Sequence, residues 1–218
     1  MVILKIDKPK WFTSYDIVEK FKRLFWWEKV WHSWTLDPMA TGLLIIAIWK
    51  NHTPYLKNFL ELDKEYITKI DFSIYSDTRD LDYFDTLKKY KVVTENNIKW
   101  IIKDNCFVSA PYIEQIKKHL NNIIPYADLP LTMFSAKKID WKKLYELARE
   151  GIDLKLVKKM KINYFEILEY KFPVIKLKIN VWSWTYIRSI WYRLWKQFWL
   201  PWTLIYLRRT KIWNIEID

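Results

Sequence analysis

Groups able to do chemistry fall into one short loop and a set of basic clusters. Residues 29–41 form a polar stretch holding His32, Ser33 and Asp37. Read alone, Asp37-Pro38 is an ordinary Asp-Pro turn, and His32 an ordinary loop histidine. His32, His52 and His119 share no metal-ligand spacing with the single cysteine, Cys106, so no metal site is expected. A lone cysteine cannot form an internal disulfide and fits a reducing cytoplasm. The basic residues cluster as Lys8 and Lys10, Lys137 and Lys138, Lys142 and Lys143, Arg208 and Arg209. Any one such run is usually a solvated face. The net charge of +12 points more firmly to a partner made of phosphates. On charge alone an anionic membrane surface fits as well as nucleic acid.

The elements that must position these groups follow from hydrophobic period. At 218 residues one domain, 1–218, is the default. The longest apolar run, Gly42 to Trp49, is far shorter than the ~20 residues of a membrane span. Met1 to Ile6 lacks a signal-peptide pattern, so a cytoplasmic protein without membrane contact is expected. Val2 to Ile6 reads as a strand. Ser14 is placed to cap a helix with Ile17, Phe21, Leu24 and Phe25 on one face. Leu43 to Ile48 reads as a buried strand, and Tyr66 to Ile74 alternates as a half-buried one. Residues 76–86 are an acidic loop. Residues 94–122 look helical, interrupted by Pro111. Lys142 to Glu150 is a helix that Gly151 ends. Ile175 to Val181 is a strand, Thr185 opens a helix carrying Ile187, Ile190, Leu194 and Phe198, and Ile205 to Ile217 gives one or two closing strands. Strands and helices mix without βα alternation, which predicts an α+β fold with a mixed, mainly antiparallel sheet flanked by helices.

One compositional feature changes the reading. The chain has 15 tryptophans and 2 glycines, whereas glycine is ordinarily about 7% of residues. The two counts together come close to the ordinary glycine content. The tryptophans also stand where glycine belongs: Trp31 and Trp34 in the polar loop, Trp182-Ser183-Trp184 after a strand, and Trp199-Leu200-Pro201-Trp202 in a turn. Trp191 and Trp195 make better sense as helix-packing glycines. The expectation is that most tryptophans are glycines in the host, where the UGA codon is read as glycine. Trp27 and Trp100 are the weakest cases.

With that exchange, Trp31 to Gly42 becomes GHSGTLDPMATG, which resembles the catalytic loop of the TruB-type tRNA pseudouridine synthases. Further segments agree in the same order: Ile6-Asp7-Lys8-Pro9-Lys10, Asp63-Lys64-Glu65-Tyr66, Met133 to Lys138 continuing through Lys142-Lys143-Leu144-Tyr145 to Gly151, Val181 to Ser189 as VGSGTYIRS, and Tyr206-Leu207-Arg208-Arg209. The resemblance covers almost the whole chain. It implies the pseudouridine synthase fold, here without the C-terminal PUA domain that the family often carries. A second departure is Tyr83, where the family often has glycine.

The resemblance also implies the roles. The reaction breaks the C1′–N1 bond of uridine, turns the base and rejoins it through C5, and so needs no cofactor. Asp37 would act at C1′, as nucleophile or as the group that assists loss of the base. Arg188 would keep Asp37 ionised, and Tyr66 would stack on the base and take the C5 proton. His32 would help hold the nucleotide out of the RNA stack. Lys8 and Leu207 would line the pocket. Lys10, Lys137, Lys138, Lys142, Lys143, Arg208 and Arg209 are candidate phosphate contacts. The implied substrate is the T-stem-loop of tRNA, at position 55, bound by a monomer. The alternatives are a non-catalytic tRNA-binding or folding factor using the same groove, and a guide-RNA-dependent relative.

Overall fold

The computed structural model describes residues 2–26, 29–48, 60–81, 87–95, 98–104, 106–132, 135, 137–139, 141–152, 154 and 156–217. The side chains of Lys138, Ile139, Leu194 and Trp195 also lie outside what is described. So do the expectations that rest on Trp27, Tyr83, Met133, Phe134 and Ala136.

The main sheet has nine strands and runs β1-β3-β15-β4-β14-β13-β10, with β2 beside β3 and β16 beside β15. These are β1 Val2–Lys8, β2 Val30–His32, β3 Thr41–Ile48, β4 Lys64–Asp71, β10 Tyr126–Pro130, β13 Val157–Lys171, β14 Val174–Val181, β15 Thr203–Ile212 and β16 Ile215–Glu216. Of their pairings only β15 with β3 is parallel, in agreement with the expected α+β class. β3 is covered on both faces. Leu44, Ile46 and Ile48 pack against Ile17 and Val18, while Leu43, Ile45 and Ala47 pack against Ile212. This explains why β3 reads as a continuous apolar run rather than an alternating one. Gly42 opens β3 at φ 99°, and a Cβ there would lie 2.2 Å from the Arg209 carbonyl oxygen, so only glycine lets β15 lie against it.

Helix α1, Ser14–Leu24, is capped one residue earlier than expected. Thr13 accepts from the Asp16 amide while the Asp16 side chain accepts from the Thr13 amide. Such a cap contributes about 1 kcal/mol. Phe21 and Phe25 pack inward, but Leu24 is 69% exposed, off the apolar face. The expected helix over 94–122 is a correction. Lys91–Glu95 (β7), Ile98–Lys103 (β8) and Cys106–Ser109 (β9) form a separate three-stranded sheet, and only Ile113–Asn121 (α2) is helical. β-Branched residues in β7 and β8 support strand pairing, and Ile101 is fully buried in the main core. Lys142–Lys143 pairs with Lys138–Ile139 as a small hairpin (β12 and β11), with helix α3 confined to Leu144–Arg149. Gly151 follows at φ 79°, as a helix-ending glycine should. Helix α4, Ile187–Phe198, matches its expected span from Ile187 onward.

Candidate active site

The loop between β2 and β3 is anchored rather than free. Leu36, Met39 and Ala40 are buried, and the Ala40 amide closes a turn on the Asp37 carbonyl at 3.0 Å. Ser14 Oγ accepts from the Leu36 amide at 2.9 Å. Lys8 Nζ donates to the carbonyls of Phe12, Pro9 and Pro38 at 2.6, 3.1 and 3.3 Å. Asp37 is thereby held between buried neighbours with its side chain 34% exposed. It faces a cavity of about 1040 Å³.

Arg188, at the start of α4, reaches the same point from the other side. Its Nη2 lies 3.2 Å from Asp37 Oδ2, and its Nη1 lies 2.8 Å from Asp80 Oδ2. Nη1 also donates to the Thr78 carbonyl at 2.9 Å. One guanidinium therefore serves two carboxylates. Burial pushes the Asp37 carboxyl above its ordinary value, and Asp80 adds to this against the pull of Arg188 and Lys8. Asp80 is completely buried, and sequence reading did not single it out. Nothing in the acidic stretch distinguishes it from Asp77 or Asp82; its role appears only when the loop folds under Arg188.

The opposite wall is built on strands. Tyr66 on β4, 8% exposed, and Leu207 on β15 both line the cavity. Lys64, one turn of the pleat before Tyr66, is 4% exposed. Its Nζ donates to the Leu62 carbonyl at 2.7 Å and the Leu60 carbonyl at 3.2 Å. Burial pushes Lys64 down to about 7, helped by the charge of Arg209. Lys64 was not singled out from sequence either, since a lysine on an alternating strand reads as solvent-facing. Tyr186 sits near Asp37 and Arg188, and burial raises its hydroxyl. Tyr145 and Arg149 on α3 and Lys137 form a further part of the wall.

The structure brings together Asp37, Arg188, Tyr66, Leu207 and Lys137. Of the other candidates only Arg209 also borders this cavity; the rest stand elsewhere. Lys8 is fully buried behind the loop and holds carbonyls rather than lining the pocket. Arg209 is equally buried and is therefore withdrawn from any phosphate. Arg208 makes a two-pronged contact with Asp7 at 2.9 and 2.8 Å. His32 lies on β2 outside the cavity wall, its ring 3.1 Å from the Ser33 carbonyl. Lys10 is exposed over the Trp11 ring, and Lys142 pairs with Glu150 at 3.1 Å. Lys138 takes part in β11, with its side chain outside the described residues.

Known proteins fit this arrangement. The model of the TruB family pseudouridylate synthase N-terminal domain matches residues 22–187. The tRNA pseudouridine synthase B of Caldicellulosiruptor saccharolyticus is 37% identical over 96% of this chain and 66% of its own length. That of Endomicrobium trichonymphae is 34% identical over 86% of this chain and 74% of its own. The chain thus spans just under two thirds of the length of the first of these relatives. A solved chain from a Cbf5–Nop10–Gar1 complex shares the fold, with a TM-score of 0.68 and 21% identity over 99% of this chain and 50% of that one. A loop carboxylate under a shared arginine, a strand tyrosine opposite it, and these matches lead to one conclusion: the chain belongs to the TruB family of pseudouridylate synthases.

Proposed function

We propose that this chain converts uridine to pseudouridine in the T-loop of tRNA, at position 55, as a cytoplasmic monomer. The observation that carries the reading is the Asp37–Arg188–Asp80 cluster on the floor of a cavity large enough for a nucleoside. The isomerisation moves one bond within one nucleotide, so it requires neither an electron acceptor nor a transferred group. A uridine must leave its stack to enter such a cavity. Asp37 then meets C1′ from the floor, with its ionised form maintained by Arg188 against burial. Tyr66 lies on the wall where the base would rest. Lys137 and Arg149 at the cavity wall supply positive charge for the RNA backbone. The test is release of the C5 hydrogen from labelled uridine in a T-arm RNA. Turnover by wild type and none by Asp37→Asn, with RNA binding retained, supports the reading. Tight binding without turnover in every version moves it to a tRNA-folding factor.

The proposal includes the tryptophans. Among the described residues, the non-glycine positions of positive φ are Trp11, Trp26, Trp34, Arg79, Asp104, Trp141, Trp184, Trp199 and Trp213. Tryptophan dominates that set although it is poorly suited to the left-handed region. Trp26 and Trp141 are each 92% exposed. Trp191 and Trp202 are buried with indole N–H groups that find no acceptor, which buried indoles ordinarily do. Trp34, Trp182 and Trp184 intrude on the cavity itself. Glycine at these positions would relieve the backbone and widen the cavity. Intact mass of the protein from its native host decides the matter: a mass equal to that of the printed sequence sinks the exchange. A gene recoded with glycine should give the more active enzyme.

A further inference from the structure

We propose that Arg209 is a positioning residue for Tyr66: it donates to the phenolic oxygen and stabilises negative charge there while Tyr66 takes the C5 proton of the base. The proposal rests on the isomerase reading above. It arises from a buried cation that the floor chemistry does not use.

Arg209 and Tyr66 are Cα partners across β15 and β4. Residues directly opposed on antiparallel strands project from the same face, and both side chains reach the cavity. Arg209 is fully buried. Its Nε donates to the Leu43 carbonyl at 2.7 Å, and its Nη2 donates to the Trp34 carbonyl at 3.2 Å. Its guanidinium lies beside the Tyr66 side chain on the same wall, near enough for charge on the phenolic oxygen to favour the cation. Both carbonyl contacts are to backbone and survive exchange of Trp34 for glycine. The guanidinium is therefore held on two sides, next to its cross-strand partner Tyr66.

All these acceptors are neutral. Among the described residues no carboxylate forms an ion pair with Arg209, and charge on Tyr66 favours its cationic form. A buried charge without a counter-ion is unfavourable, so negative charge forming on the Tyr66 oxygen is stabilised at this place. Lys64, buried in the same wall and close enough for Arg209 to repel it, adds to the positive field. A guanidinium donates and cannot accept. Any hydrogen bond between the two therefore has the Tyr66 oxygen as its acceptor, with its other lone pair left for the base. In the step itself the C5–H bond breaks and its electron pair restores the C5–C6 double bond. The proton passes to the Tyr66 oxygen, whose own proton has gone to water, and N1 takes a proton from water. Product and uridine then have the same atoms.

The test is single-turnover conversion of T-arm RNA carrying 5-deuterated or ordinary uridine, using the whole chain. Arg209→Gln should slow product formation by ~10-fold or more and raise the isotope effect above the wild-type value, because C5–H cleavage becomes the slow step. RNA affinity should be unchanged. Arg209→Lys, which keeps the charge, should fall between the two. In a Tyr66→Phe background, adding Arg209→Gln should cost nothing further. A uniform rate loss with an unchanged isotope effect, or fully additive losses, overturns the proposal. If Arg209→Gln does not fold, Arg209→Lys decides by the same isotope measurement: a wild-type value overturns the assignment. Absence of turnover in wild type is a different result, since it removes the isomerase reading first.

Discussion

The two walls of the cavity are built by opposite strategies. On the floor, two carboxylates share one arginine, and the three residues come from separate places: the loop before β3, the loop after β5 (Ile74–Tyr75) and the first turn of α4. On the facing wall, Tyr66, Lys64 and Arg209 sit on adjoining strands in ladder register. The floor is short of positive charge and the wall has an excess of it. Residues from loops can be brought to a point from any direction, which suits a group that must approach a sugar carbon. Residues on a ladder are fixed relative to one another, which suits groups that flank a planar base.

The largest effect should come from breaking the floor. Asp37→Asn removes the more exposed of the two carboxylates that Arg188 holds and should lower turnover by ~10³-fold or more, measured as C5-hydrogen release, while RNA affinity holds. Asp80→Asn should act more mildly, up to ~10²-fold, by loosening the aim of Arg188. It also sharpens the comparison through pH. In the proposed reaction Asp37 acts ionised, and burial, with Asp80 adding to it against Arg188, raises its carboxyl above 3.8. The rate of wild type should therefore climb with pH through that raised value, and Asp80→Asn should move the limb toward lower pH. A pH–rate profile that is the same in both proteins contradicts the shared-arginine account.

Weaker effects belong to the wall and its edge. Lys137→Ala combined with Arg149→Ala should lower RNA affinity a few-fold and flatten its salt dependence, by roughly 0.7 in log–log slope per lost single-strand phosphate contact. The smallest effect on activity should come from Lys64→Met, whose signature is stability. Lys64 titrates near 7 in the fold against 10.5 as its ordinary value. Between those values the unfolded chain binds a proton that the folded chain does not, so the native lysine destabilises progressively as pH falls from 10.5 toward 7. Thermal melting should then show Lys64→Met gaining stability relative to wild type at pH 7, with the gain shrinking toward pH 10.5.

How much of this was legible beforehand depended on whether neighbours in sequence decide the matter. β3, β4, β14 and α4 follow from period because their faces are set by the layers they pack in. Asp37, Tyr66 and Arg188 stand out by the motifs around them, and the structure places all three at one cavity. Asp80 was not, since its meaning depends on Arg188, far along the chain. Arg208 and Arg209 looked alike as a basic pair, yet strand alternation sends one to Asp7 at the surface and the other inside. Lys8 was expected at the pocket, but three carbonyls behind the loop satisfy its ammonium better. The β8–β9 hairpin was misread because a short apolar run carries no unambiguous period.

The parallel contact of β15 with β3 has a consequence for the order of events in synthesis. β15 lies between β3 and β4, so the centre of the sheet cannot be completed by chain that has only reached β14. Arg209 and the Leu43 carbonyl that it bonds are 166 residues apart. Contacts of such separation form late and slow folding. A ribosome carrying most of this chain therefore holds the floor residues, Asp37, Asp80 and Arg188, without the strand that braces Tyr66. The wall that holds Leu207 and Arg209 is complete only when β15 has emerged and inserted.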